Sequence, residues 1–171
     1  YRARYLKALE EAAAAYHKEF SGDRENLTLQ YQTVSTVEDP FAPVDVIRGW
    51  LREHLESHSH AELESCSCLS GPHKDDFTAS LNGLPMAAFA SQGQTRTATI
   101  SIKLAERELL RRDTGEEPLL LLDDVLSELD GGRQDFVLNQ LKSGQVFITC
   151  CETDRWTALG RVLQIENGQI V

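Results

Sequence analysis

The chain has little cysteine, little aromatic content and no long apolar run. Its four Cys fall as Cys66-Ser67-Cys68 and Cys150-Cys151 among 171 residues, spacings that fit neither a disulfide framework nor a zinc ribbon. They read as small buried thiols of a reducing compartment, with a metal or redox site as the rival reading. Nothing resembles a membrane span or a secretory signal, so a membrane partner is not expected and the localisation is expected to be cytoplasmic. Basic residues are short as well. Lys and Arg number 17 against 27 Asp and Glu, a net charge of −10, which argues against a broadly basic nucleic-acid surface on these residues. No Gly-x-x-x-x-Gly-Lys-Ser/Thr occurs, so the chain has no phosphate-cradling P-loop of its own. The first residue is Tyr1 rather than Met, within a helical pattern, and the chain is expected to be part of a longer protein.

What is present is ordinary globular composition, 41% hydrophobic and 26% charged, enough for one core and perhaps an appendage. Residues 1–20 carry Tyr5, Leu9, Ala12, Ala13 and Tyr16 at helical spacing, ended by Ser21-Gly22-Asp23. Leu27, Leu29 and Tyr31 alternate with polar residues as in a half-buried strand, and Pro40 and Pro43 make 38–43 a loop. Asp45 is placed to cap a helix running to about Ser57. His54 and His58, four apart, could share a helix face as zinc ligands do, or lie on a solvated helix end. A strand is expected over 65–69. A hairpin is expected over 77–86, because Asn82-Gly83 suits the positive φ angles of a tight turn. Helices are expected from about Gln94 to Arg112 and over 133–142, strands over 119–122 and 145–150, and a terminal hairpin around Asn167-Gly168. Strands alternate with helices in this half, so α/β is the economical class.

Two stretches carry chemistry. Four Leu at 119–122 suit a strand buried on both faces, and Asp123 and Asp124 stand at its carboxyl end. In an open α/β sheet that end faces the ligand crevice, so the pair could hold a cation beside a phosphate; it could equally cap the following helix. Ser91-Gln92-Gly93-Gln94 precedes a helix. Ser is a good N-cap and Gly lets a backbone approach closely, which makes a natural anion site or a plain capping turn.

The run Leu-Leu-Leu-Leu-Asp-Asp at 119–124, followed by Ser127, Leu129 and Asp130, resembles the Walker B and D-loop of the ABC-type ATPases, and Ser91-Gln92-Gly93-Gln94 resembles their signature motif. Gly71-Pro72-His73-Lys74-Asp75-Asp76, taken with the signature, Arg96 and the acidic strand, resembles the RecF family of recombination-repair proteins, with Lys74 where Arg is commoner. The resemblance covers most of residues 65–150. It implies an ABC-ATPase-like α/β lobe with parallel-type strands flanked by helices over 65–171, and an amino-terminal helical and strand segment over 1–64. It further implies ATP and Mg²⁺ as cofactors: Asp123 on the Mg²⁺ side through water, Asp124 positioning the attacking water in place of the usual Glu, and Ser91 and Gly93 at the γ-phosphate of a neighbouring protomer. Gln92 belongs to that loop, Gln94 would orient it, and Ser127 and Asp130 would reach across the dimer. Thr149 is followed by Cys150 where many ABC ATPases have a switch His. The partners implied are a second copy in an ATP-dependent homodimer, double-stranded DNA at gap junctions, and the RecR and RecO proteins in loading RecA. Two other readings stand beside it: an interaction module that keeps the motifs as scaffold, and an SMC-like or Rad50-like head, which would need long heptad runs.

Overall fold

A computed structural model describes residues 1–126, 129–141, 143–151 and 160–171. The chain is mixed α/β and divides into two compact units, Tyr1–Leu109 and Leu110–Val171.

In the first unit α1 (Arg2–Ser21) ends where Gly22 adopts φ 61, ψ 51, the left-handed cap that costs Gly nothing. β1 (Leu27–Gln32) follows, then α2 (Val44–Ser65), a short 3₁₀ turn at Pro72–Lys74, β2 (Asp76–Leu81), β3 (Leu84–Pro85), the single turn α3 (Met86–Phe89) and the long α4 (Gln92–Thr114). β1, β2 and β3 form an antiparallel sheet with Leu27 opposite Leu81 and Tyr31 opposite Phe77. Asn82 (φ 51) and Gly83 (φ 81) make the expected tight turn. The core unites Leu6, Leu9 and Ala13 of α1, Leu27 and Leu29 of β1, Leu81 of β2, and Ala98, Ala105 and Leu109 of α4. Each Leu so buried contributes about 1.5–3 kcal/mol of transfer free energy.

The structure departs from several local expectations. α2 does not stop near Ser57 but runs through His54, His58 and His60 to Ser65. The Ser57 hydroxyl is satisfied inside the helix by Glu53 O at 2.8 Å, so it gives the chain no reason to leave. No strand forms at 65–69: Cys66 takes a left-handed cap at φ 50, and the Leu69 N–H that a ladder would use donates to Glu62 Oε1 at 2.7 Å. Asp45 does not cap α2. Pro43 holds the N-cap position, and Asp45 pairs with Arg48 at 3.1 Å. His54 and His58 stack, with ring centroids 4.1 Å apart, and among the described residues no group of three metal-ligating side chains occurs. The four Cys are not buried as expected: Cys66, Cys68, Cys150 and Cys151 are all exposed.

In the second unit β4 (Leu120–Asp123) and β5 (Val146–Thr149) pair in parallel, with Asp123 opposite Thr149. Between them lies α5 (Gly131–Gln140), and β6 (Ile165–Glu166) and β7 (Gln169–Ile170) form the terminal hairpin. The acidic strand is buried on one face only. Leu120 and Leu122 are buried, whereas Leu121 is 67% exposed and its ladder partner Phe147 50% exposed. Among the described residues one face of this sheet is buried and the other exposed, and period-two alternation sends Leu121 to the exposed one.

Candidate functional site: the signature turn and the acidic strand end

The signature turn belongs to the first unit. Ser91 and Gln94 cap α4 reciprocally: the Gln94 N–H donates to Ser91 Oγ at 3.2 Å, and the Ser91 N–H donates to Gln94 Oε1 at 2.8 Å. This is the capping box of a Ser-x-x-Gln sequence, which satisfies two amides that the helix itself leaves without acceptors. The remaining first-turn amides, that of Gly93 among them, have no acceptor within a helix by construction. Ser91 and Gln92 are exposed, while Gly93 and Gln94 are half-buried. One turn later the Thr97 hydroxyl donates back to Gly93 O at 2.8 Å, which ties the turn to the buried face of α4.

The stretch at 71–76 is anchored in the same unit. Asp75 accepts from the Tyr31 hydroxyl at 2.5 Å and the Thr33 hydroxyl at 2.9 Å, with Arg2 3.7 Å away. Arg2 also donates to Pro72 O. Burial and the Asp75 carboxylate push the Tyr31 hydroxyl up to about 12 from its ordinary value. Gly71 sits at φ 143, a backbone conformation that favours glycine, and a Cβ there would lie 3.0 Å from His73 Nδ1, which would have to shift.

The acidic strand end belongs to the second unit. Asp123 and Asp124 are exposed at the carboxyl end of β4. The Thr149 hydroxyl, at the end of the parallel partner strand, donates to Asp123 Oδ1 at 2.5 Å and accepts from the Asp124 N–H at 2.9 Å. One hydroxyl therefore sets the Asp123 rotamer and holds the backbone that turns at Asp124, whose φ is 48. In the sequence Thr149 stands out only as the neighbour of the switch position. The apolar run Val146-Phe147-Ile148 marks it as the end of a strand, but its place beside Asp123 is set by the parallel ladder. Asp130 is the N-cap of α5, accepting from the Arg133 N–H at 3.0 Å, with Arg133 Nε 3.5 Å away. Gln134, buried, donates to Leu126 O at 2.8 Å and closes the connection between β4 and α5. Ser127 lies outside the described residues.

These donors fit Mg²⁺ chemically. They are hard carboxylate oxygens on an exposed strand end, and the Thr149 hydroxyl orients one of them through Asp123 Oδ1. With no third ligand grouped nearby among the described residues, such an ion would keep most of its shell as water and nucleotide oxygens.

No protein-family model matches the sequence. Curated relatives do. The DNA replication and repair protein RecF of Acetivibrio thermocellus is 39% identical over 153 residues, 90% of this chain and 41% of that protein. The RecF of a Synechococcus strain is 38% identical over 174 residues, 99% of this chain and 46% of that protein. The chain is homologous to RecF proteins. It spans less than half the length of the relatives it matches. Two solved RecF structures described as a recombination mediator of the RecFOR pathway share its fold. The ATP form has a TM-score of 0.75 at 36% identity, covering 90% of this chain and 40% of that one. The ATPγS form has a TM-score of 0.79 at 34% identity, covering 99% and 44%. The RecF likeness extends through residues 1–64 as well as the motif-bearing part. Among the described residues no helix is long and apolar enough to cross a membrane.

Proposed function

We propose that this chain supplies the signature and Walker B parts of a RecF-type ATPase whose nucleotide is shared between two protomers. The observation that carries the reading is the reciprocal Ser91–Gln94 cap, which presents an exposed Ser at the start of a 23-residue helix. Aligned peptide dipoles give that end a partial positive charge, complementary to a γ-phosphate brought by a partner. Asp123, oriented by Thr149, would hold Mg²⁺, and the metal when bound neutralises phosphate charge. Asp124 stands where a Glu would place the attacking water. One methylene shorter, it suits a slow hydrolase used as a switch. The exposed apolar strip at Leu121 and Phe147 suits a further layer of the full-length protein packed on this face of the sheet.

On this reading residues 65–171 carry the signature, Walker B and D-loop parts of the ATPase head, and residues 1–64 are the helical segment and connecting strand that precede them. The full-length protein dimerises on ATP, binds double-stranded DNA near gaps and works with RecR and RecO in loading RecA in the cytoplasm. The RecF structures with ATP and ATPγS, described within a RecFOR pathway, support the nucleotide and a place beside RecO and RecR for the relatives. Sedimentation of a full-length protein carrying Ser91→Arg is the test. ATP-dependent dimerisation is expected to be lost while each monomer still binds ATP, because the signature acts on the neighbour's nucleotide. Undiminished dimerisation would overturn the assignment.

A further inference from the structure

A polar circuit runs from the signature turn into the protein and back. Gln94 Nε2 donates to Glu25 Oε1 at 2.8 Å, across 69 positions of sequence. The other oxygen of Glu25 accepts from His17 Nε2 at 3.0 Å. His17 is fully buried, and its Nδ1 lies 3.4 Å from the buried Ser101 hydroxyl. Ser101 donates to Thr97 O at 2.8 Å, and the Thr97 hydroxyl donates to Gly93 O. The path thus leaves the turn at Gln94 and re-enters it at Gly93. Its far side is α1 and the connection after it, which is held on both flanks. The Glu25 N–H donates to the buried Ser21 hydroxyl at 3.1 Å, and Asn26 and Asn82 exchange hydrogen bonds at 2.8 and 2.9 Å.

The chemistry of an amide shows what this does. The two ends of a Gln side chain are a donor and an acceptor of nearly the same shape, and rotating it by half a turn exchanges them. Only one orientation lets Gln94 accept the Ser91 N–H. The reverse would set its NH₂ against that N–H. Glu25, a carboxylate whose side chain is 16% exposed and which can only accept, demands the NH₂ end and so selects the orientation that caps Ser91. His17, filling the second oxygen, keeps the carboxylate from turning away.

We infer that Glu25 is a positioning residue for the signature turn, with His17 behind it, setting the Gln94 amide so that Ser91 and Gly93 are ordered before a partner's nucleotide arrives. The inference rests on the shared-site reading above. It adds to it a route by which α1 and its connection control nucleotide capping.

The test is sedimentation of the full-length protein with ATP and Mg²⁺, alongside ATP binding by the monomer and thermal melting. Glu25→Gln has one acceptor oxygen for two donors, so it cannot serve Gln94 and His17 together. The dimer dissociation constant is expected to rise by about tenfold or more, as for loss of a charge-assisted hydrogen bond, with monomer ATP affinity unchanged. The reciprocal swap, Glu25→Gln with Gln94→Glu, satisfies every group again. Glu at 94 accepts both the Ser91 N–H and the Gln NH₂ at 25, while the oxygen of that Gln accepts from His17. Recovery of dimerisation by the swap is the expected result, and a merely scaffolding pair would not show it. Normal dimerisation of Glu25→Gln, or a swap that restores the melting temperature but not the dimer, would overturn the inference and leave the shared-site reading standing. An unsubstituted protein that stays monomeric in ATP would overturn both.

Discussion

Replacing Thr149 with Val removes one hydroxyl and keeps the β-branched shape, so β5 should keep its place in the ladder beside Asp123. Two hydrogen bonds go with it, the 2.5 Å bond to Asp123 Oδ1 and the 2.9 Å bond from the Asp124 N–H. Within a protein a bond to a charged acceptor contributes about 1.5–3 kcal/mol and a neutral one about 0.5–1.5 kcal/mol. Asp123 and Asp124 are exposed, however, and water replaces much of what is lost. The stability cost is therefore expected near the low end, about 1 kcal/mol. The functional cost is expected to be larger than the stability cost implies. Without the hydroxyl the Asp123 carboxylate is free to rotate, and an ion held by few protein ligands depends on each one being in place. In the full-length protein the Mg²⁺ concentration for half-maximal ATP hydrolysis should rise about tenfold, the equivalent of about 1.4 kcal/mol. Thr149→Ser, which keeps the hydroxyl, should stay within about threefold of the parent, a difference of about 0.65 kcal/mol. A Val variant with parental Mg²⁺ dependence, or Ser and Val variants that behave alike, would refute the role given to this hydroxyl.

Other outcomes follow from the same geometry. Asp130→Ala removes the α5 cap and should cost about 1 kcal/mol, or about 2–4 °C in melting temperature. Asp130→Asn, an equally good cap, should melt as the parent does; if it also dimerises poorly in ATP, Asp130 acts across the dimer beyond its capping. Tyr31 should ionise late in an absorbance titration. Its folded value, about 12, lies above the ordinary 10.0, so the folded form keeps a proton that the unfolded chain releases. The stability it contributes is fully present below pH 10 and is lost as pH rises towards 12. Tyr31→Phe should abolish the late step, and a titration with no tyrosine ionising late would contradict the contact with Asp75.

Much of the fold was legible because it depends on neighbours a few positions apart. Gly22 stops α1, Asn82-Gly83 turns the hairpin, and Ser91 and Gln94 cap α4, each through φ preference or a hydrogen bond spanning no more than three residues. The motifs at 71–76, 91–94 and 119–130 were legible for the same reason, as short runs whose residue types carry their chemistry. The extent of α2 was not. Ser57 is a common loop residue, and only its hydroxyl's return to Glu53 O kept the helix going. Nor could four consecutive Leu reveal that one face of β4 stays uncovered, since covering a face requires another layer that no local pattern specifies.

The chain's sequence by itself therefore determined its α/β character, the order of most of its elements and the residues around which the candidate site is built. Only the tertiary structure decided what orients those residues. Thr149 reaches Asp123 because two parallel strands are in register, and Glu25 reaches Gln94 because the connection after α1 lies against the start of α4. Both contacts join side chains at least 26 positions apart. Hydrogen bonds act over about 3 Å, so a partner that distant in sequence is chosen by the packing of the whole unit rather than by any pattern along the chain.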